Sequence, residues 1–149
     1  MNTLTIIKKL KANDEREWFE IPAVICLNGI KLEDLANAAK EEDLVNQLGV
    51  MIDIALTYLI EQSDPKYAPL TRLRAQLFSE KKNDIRPFYC DEDSRITKLN
   101  EKRTPQIVRN WNLICPLDTD TFIRVYTQEY EDRQRKTKYY YFVANRTIL

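Results

Sequence analysis

From residue 43 to residue 62 the chain reads DLVNQLGVMIDIALTYLIEQ, and its apolar positions fall at helical steps of three and four. Leu44, Leu48, Met51, Ile52, Ala55 and Leu59 form one stripe. Val45, Val50, Ile54, Leu56 and Ile60 widen it until little of the cylinder is polar. A helix this apolar must be covered on several sides, which predicts the central core helix. Asp43 is placed as its N-cap, with Glu41 and Glu42 beside it at the positive end of the dipole, and Pro65 lies just past its end. Asp53, one residue round from the seam, is expected to be exposed or hydrogen-bonded, because an unpaired buried carboxylate is very costly.

The neighbouring segments follow the same logic. TLTIIKKL is short enough to be a strand or a helix, burying Leu4, Ile6 or Ile7, and Leu10 either way. Trp18 and Phe19 open a firmer element, in which Pro22 suits a first helical turn and Gly29 the C′ position. IKLEDLANAAKEE places Leu32, Leu35, Ala36 and Ala39 on one face. With the central helix this makes three consecutive helices joined by very short turns, so antiparallel neighbours are expected. QSDPKYAP (62–69) carries two prolines and marks a break. Beyond it, LTRLRAQLFSEKK sets Leu70, Leu73 and Leu77 in a narrow stripe that predicts another helix. The chain up to 103 reads as irregular, with a short strand at 88–90. Thr104 and Pro105 then read as N-cap and first residue of a short helix, TPQIVRNW, followed by a strand-like run, LICPL.

The C-terminal part reads as a long antiparallel hairpin. Phe122, Ile123, Val125, Tyr126 and Tyr130 favour strands, as do Tyr139, Tyr140, Tyr141, Phe142 and Val143. EDRQRKTK between them lacks Gly and Pro and is taken as a longer loop at the tip. Alternation would put Phe122, Tyr126 and Tyr130 on one face and Ile123 and Val125 on the other. The fold class predicted is therefore α+β: an N-terminal layer of three to four helices, then a part containing the hairpin, winged-helix-like in outline.

Composition narrows the chemistry more than the fold. With 149 residues, 44% of them hydrophobic and 31% charged, the chain fits one soluble domain and not a disordered one. The two glycines, Gly29 and Gly49, begin no phosphate-loop pattern. There is no histidine, which removes Ser-His-Asp and Cys-His sites, His-ligated metals and imidazole acid–base catalysis. Cys26, Cys90 and Cys115 are odd in number and far apart, arguing against a disulfide framework and against zinc. Cys26 and Cys115 sit in apolar runs and read as buried small hydrophobes; Cys90, beside Asp91, Glu92 and Asp93, has neighbours that disfavour a thiolate. No apolar run approaches the ~20 residues of a membrane span, and the N-terminus lacks a leader-like pattern, so a cytosolic setting is expected. No cofactor, resident metal or catalytic residue is predicted, and a homo-oligomer is left open.

Charge carries the functional expectation. Residues 1–64 hold 6 Lys and Arg against 12 Asp and Glu, a net of −6, and residues 65–149 hold 17 against 11, a net of +6. Such asymmetry points to an acid-seeking surface on the basic half, the competing readings being that the halves attract each other within the fold or that the charges are ordinary solvated faces. Arg133, Arg135, Lys136 and Lys138 crowd the expected hairpin tip, where a winged-helix wing would touch phosphate, although Glu129, Glu131 and Asp132 offset them. Arg72, Arg74, Lys81, Lys82 and Arg86 would add contacts from a second element, as would Lys98, Lys102, Arg103 and Arg109. No clear helix-turn-helix accompanies them. The expectation is a non-catalytic, nucleic-acid-associated regulator. The alternative is a protein–protein adaptor or inhibitor docking a basic partner through the acidic helices bearing Glu33, Asp34, Glu41 and Glu42.

Two chemical readings stand behind these. Asp91, Glu92 and Asp93, or Asp118 and Asp120, have carboxylates that could meet a divalent ion, but solvated loop acids are the commoner case. The tyrosines 139–141 with Arg124 and Arg146 are compositionally similar to the histidine-free sites of small toxin ribonucleases; a half-buried packing face is the plainer reading.

Overall fold

A computed structural model of the chain describes residues 2–12, 14–59, 64–87 and 101–147, with the backbone alone for Glu15 and for 137–147. Among these residues the fold is helical: α1 (Thr3–Lys11), α2 (Glu15–Trp18), α3 (Ile21–Leu27), α4 (Leu32–Glu41), α5 (Val45–Leu59), α6 (Tyr67–Glu80), α7 (Gln106–Arg109) and α8 (Thr119–Thr147). The only strands among them are β1 (Arg86–Pro87) and β2 (Leu113–Ile114), a parallel pair in the register Arg86 to Leu113 and Pro87 to Ile114. The α+β expectation with its winged-helix outline is overturned: one helix of 29 residues replaces the hairpin.

Helix α5 is the centre of the core, as its pattern requires. Leu48, Val50, Met51, Ile52 and Ala55 are fully buried, and Leu59 nearly so. Helices α3, α4, α6 and α7 pack around it, and α8 lies on α3. Arg74 meets Asp53 and the Lys82 backbone meets Asn46, so α6 runs back along α5. Residues 60–62 of the expected core helix and the strand at 88–90 lie outside the described residues.

Local chemistry explains the boundaries. Asp43 is not the N-cap of α5. It adopts φ 58°, and the bonds from Asp43 N–H to Lys40 O and Leu44 N–H to Ala39 O close α4 in a Schellman turn. The Leu44 carbonyl then accepts the first α5 bond, from Leu48 N–H at 2.9 Å. Thr104 does not cap α7 either. It is buried, and its hydroxyl accepts from Cys115 N–H at 3.1 Å and faces Cys115 O at 3.2 Å, tying the α7 entry to β2. Gly29 follows the C-cap Asn28 of α3 as expected, without a positive φ. TLTIIKKL is the helical alternative, capped by Asn2 on Thr5 N–H, with Ile6, Ile7 and Leu10 buried and Leu4 exposed.

Helix α8 begins at Asp118, whose carboxylate accepts from Thr121 N–H at 2.8 Å. That bond holds the Asp118 carboxyl below the usual carboxylate range, and places the group in a helix cap. Phe122, Tyr126 and Tyr130 are buried at four-residue steps, while Ile123 is 57% exposed. Arg133 reaches Glu20 at 2.7 Å, and the same carboxylate meets Lys9 at 2.8 Å, pinning α8 to the α1–α3 corner.

Candidate functional site

The eight cations proposed from sequence do not converge on one surface. Three of them, Arg74, Lys81 and Lys82, gather at the C-terminal half of α6. Arg74 Nε donates to Asp53 Oδ1 at 3.0 Å, and its guanidinium lies 4.6 Å from the Phe78 ring centre and 5.5 Å from that of Trp111. Lys81 Nζ stands 3.9 Å over the same Phe78 ring and donates to Asn110 O at 3.0 Å. The Lys82 side chain is exposed, while its backbone is held by Asn46, which accepts from Lys82 N–H at 2.8 Å and donates to Lys82 O at 2.9 Å.

Behind this group stands Trp111, fully buried, its Nε1–H donating to Asp53 Oδ2 at 2.7 Å. Its ring meets Phe78 edge-on at 5.3 Å. It reaches α5 only because residue 49 is glycine; a Cβ there would overlap Cε3 and Cζ3 of the indole. The Trp111 carbonyl accepts from Asn46 Nδ2 at 2.8 Å, so one buried amide fixes both the end of α6 and the indole. Asp53 is thus half-buried and doubly hydrogen-bonded, as its place on α5 requires. Phe78, itself exposed, thus carries two cations on its ring, Arg74 and Lys81.

The other candidates lie elsewhere. Arg72 is exposed over a polar cleft of about 330 Å³ between α4 and α6, facing Glu33, Asn37 and Gln76. Arg133 is engaged by Glu20, and Arg135 by Asp132 one helical turn back at 2.8 Å. Lys136 is exposed, and the Lys138 side chain lies outside the described residues. These positions belong to a helix, not to the tip of a wing. Arg86, the fifth cation of the α6 side, bridges Asp43 and Asp84, each at 2.7 Å. The pairs Arg74–Asp53, Arg86–Asp43 and Arg133–Glu20 each join the basic half to the acidic half, so part of the charge asymmetry is spent inside the fold.

Two groups of the core, Cys26 and Tyr58, have their protonation displaced by burial. Burial pushes the Cys26 thiol up to about 12, and its Sγ–H points at Ala55 O at 3.4 Å. Burial likewise raises the Tyr58 hydroxyl, whose ring stacks on Tyr130 at 4.2 Å. Both shifts favour the neutral form, the direction opposite to nucleophile activation. Among the described residues no group of three or more acids and cysteines could hold a metal ion. Asp91, Glu92, Asp93, Cys90, Lys98 and the tyrosine side chains 139–141 lie outside them. No helix among them is long and apolar enough to cross a membrane.

Sequence reasoning missed a second concave feature, an apolar cleft of about 250 Å³ between α5, α7 and α8, lined among others by Ile54, Tyr58, Ile107, Phe122 and Tyr126. Its only sequence signal is the four-residue aromatic spacing of α8. Compared with protein-family models, with curated proteins and with solved structures, the chain shows no match.

Proposed function

We propose that this chain is a non-catalytic binding protein that contacts nucleic-acid phosphate through the surface around Phe78. The observation that carries the reading is the grouping of Arg74 and Lys81 on the Phe78 ring at the end of α6, with the exposed Lys82 next in the chain. Asp53 meets part of the Arg74 charge and holds its guanidinium in place over Phe78, while Lys81 and the exposed Lys82 supply the positive charge that a phosphate backbone would meet. Phosphate contact releases counterions and makes binding fall steeply with salt. Three contacts predict a loss of roughly 40-fold between about 50 and about 200 mM salt, from a slope of about −0.9 per contact. Measuring retention of labelled single strands and duplexes at both salts tests this. Lys82→Glu should weaken every sequence alike, because phosphate contacts carry no base information. No retention at the lower salt overturns the reading.

A second reading rests on α4. Glu33, Asp34 and Glu41 remain exposed there, while Glu42 is engaged by Lys11 at 2.6 Å. Such a row suits a basic protein partner, as an adaptor or inhibitor would need. A stoichiometric partner that survives nuclease treatment, and is lost on Glu33→Lys with Glu41→Lys, would favour this reading over the first.

A further inference from the structure

We propose that the cleft between α5, α7 and α8 is a binding site for a small, uncharged aromatic molecule carrying one hydrogen-bond donor. The inference is independent of the phosphate-binding reading, since the cleft and the Phe78 surface share no residue.

Size, lining and rigidity define the ligand. Among the described residues no Asp, Glu, Lys or Arg lines the cleft, so a charged molecule entering it would lose hydration with nothing in return. Its volume of about 250 Å³ exceeds that of apolar cavities of about 150 Å³ that stay dry and take up benzene. A fused bicyclic ring is therefore within its capacity. The walls are fixed by their own packing. Tyr126 is held edge-on by Phe19 at 5.4 Å and against Phe122 at 4.7 Å, and Tyr58 is stacked on Tyr130. Rings braced in this way do not collapse to fill the space, so the site is preformed. Polar guidance comes from Thr57, an exposed residue at the rim of the lining. Its hydroxyl donates to Ile54 O at 2.6 Å, which leaves the oxygen lone pairs to accept from a ligand N–H or O–H. Ile123, lining the cleft yet 57% exposed, stands where it meets solvent.

Indole and the indole-3-acetate anion are the probes, titrated against the full chain with the melting temperature as readout. A ligand of the native state raises the melting temperature with concentration, and indole is expected to do so while the anion does not. Ile123→Glu, at a position exposed enough to leave the unliganded melting temperature in place, should weaken indole by about tenfold or more by putting a carboxylate at the mouth. Thr57→Val, which keeps the shape of the wall, should weaken indole but leave toluene, which has no N–H, unchanged. No response to indole near its solubility limit overturns the site, and an equal response to the anion overturns the ligand class. An indole response unchanged in both variants places the probe elsewhere and overturns the proposal.

Discussion

Helix α5 is packed in two different ways along its two sides. Toward α6 and Trp111, the α5 side chains Asp53 and Asn46 both have partners. Asp53 accepts from Arg74 and Trp111, and Asn46 bonds to Lys82 and Trp111 through both ends of its amide. A glycine brings an indole face onto the helix there. Toward α8, aromatic rings stack on one another, leave a cleft of about 250 Å³, and bury the Tyr58 hydroxyl without a hydrogen-bond partner. The first side resembles the close-packed interior that resists any change of volume. The second has room. The contrast teaches that one core helix can serve stability on one side and leave space for a ligand on the other.

Gly49→Ala is the sharpest way to break this contrast, and the largest effect expected. Overpacking costs typically about 1–3 kcal/mol where side chains can yield. Here the added methyl would overlap a ring whose Nε1 is anchored to Asp53, so the loss should reach or exceed the upper end of that range. Chemical denaturation of Gly49→Ala and of Gly49→Ala with Trp111→Ala measures it. The double variant should lose less than the sum of the singles, since removing the ring removes the clash. A single variant as stable as the parent would mean that Trp111 does not lie on α5.

Leu48→Ala and Leu59→Ala test the helix itself. Both leucines are buried, and truncating one should cost about 2–5 kcal/mol where the cavity persists. Against a total stability of about 5–15 kcal/mol, that is a large fraction. Thermal melts of the two variants indistinguishable from the parent would remove α5 from the centre of the core.

The tight side was partly legible in the sequence and the loose side was not. A long segment apolar around most of its circumference can only be a covered helix, so α5 and its buried Leu48, Ile52, Ala55 and Leu59 could be read directly. The same holds for Leu70, Leu73 and Leu77 of α6. Phe122, Tyr126 and Tyr130 are ambiguous by arithmetic, because steps of four satisfy both the period of a strand and that of a helix. Aromatic and β-branched content then favoured strands. The better signal was the polar run between them: Glu, Arg, Gln and Lys are good helix formers, and a hairpin tip without Gly or Asn lacks its turn chemistry. An Asp followed by two threonines at 119 and 121 was the matching start signal, but Asp118 reads from sequence as a solvated loop acid. At Asp43 an acid before an apolar run suggested an N-cap, but the preceding helix claimed the residue for its own C-terminal turn. The contacts of Gly49 with Trp111 and of Asn46 with residues 82 and 111 are tertiary, and no local pattern announces them. Of the candidate cations, sequence could show which half was basic but not that Arg74, Arg86 and Arg133 pair with acids of the other half.

The smallest expected effect is also the one that most finely separates the two sides of α5. Asn46 and Tyr58 are both polar residues of the same helix with atoms removed from solvent, but only Asn46 has its groups satisfied. Leaving a buried polar group without a partner costs about 1–3 kcal/mol, whereas replacing it by an apolar group of the same shape is nearly neutral or stabilising. Tyr58→Phe keeps the ring that stacks on Tyr130 and removes only the unpaired oxygen. It should therefore leave stability unchanged or raise it by up to about 1 kcal/mol. Asn46→Ala strips partners from the backbone of Lys82 and from the Trp111 carbonyl, and should lower stability by at least about 1 kcal/mol. Urea denaturation of the two variants beside the parent reads both signs in one experiment. A loss above about 1 kcal/mol in Tyr58→Phe would show that the hydroxyl is bonded after all, and the loose side of α5 would then be as fully satisfied as the tight one.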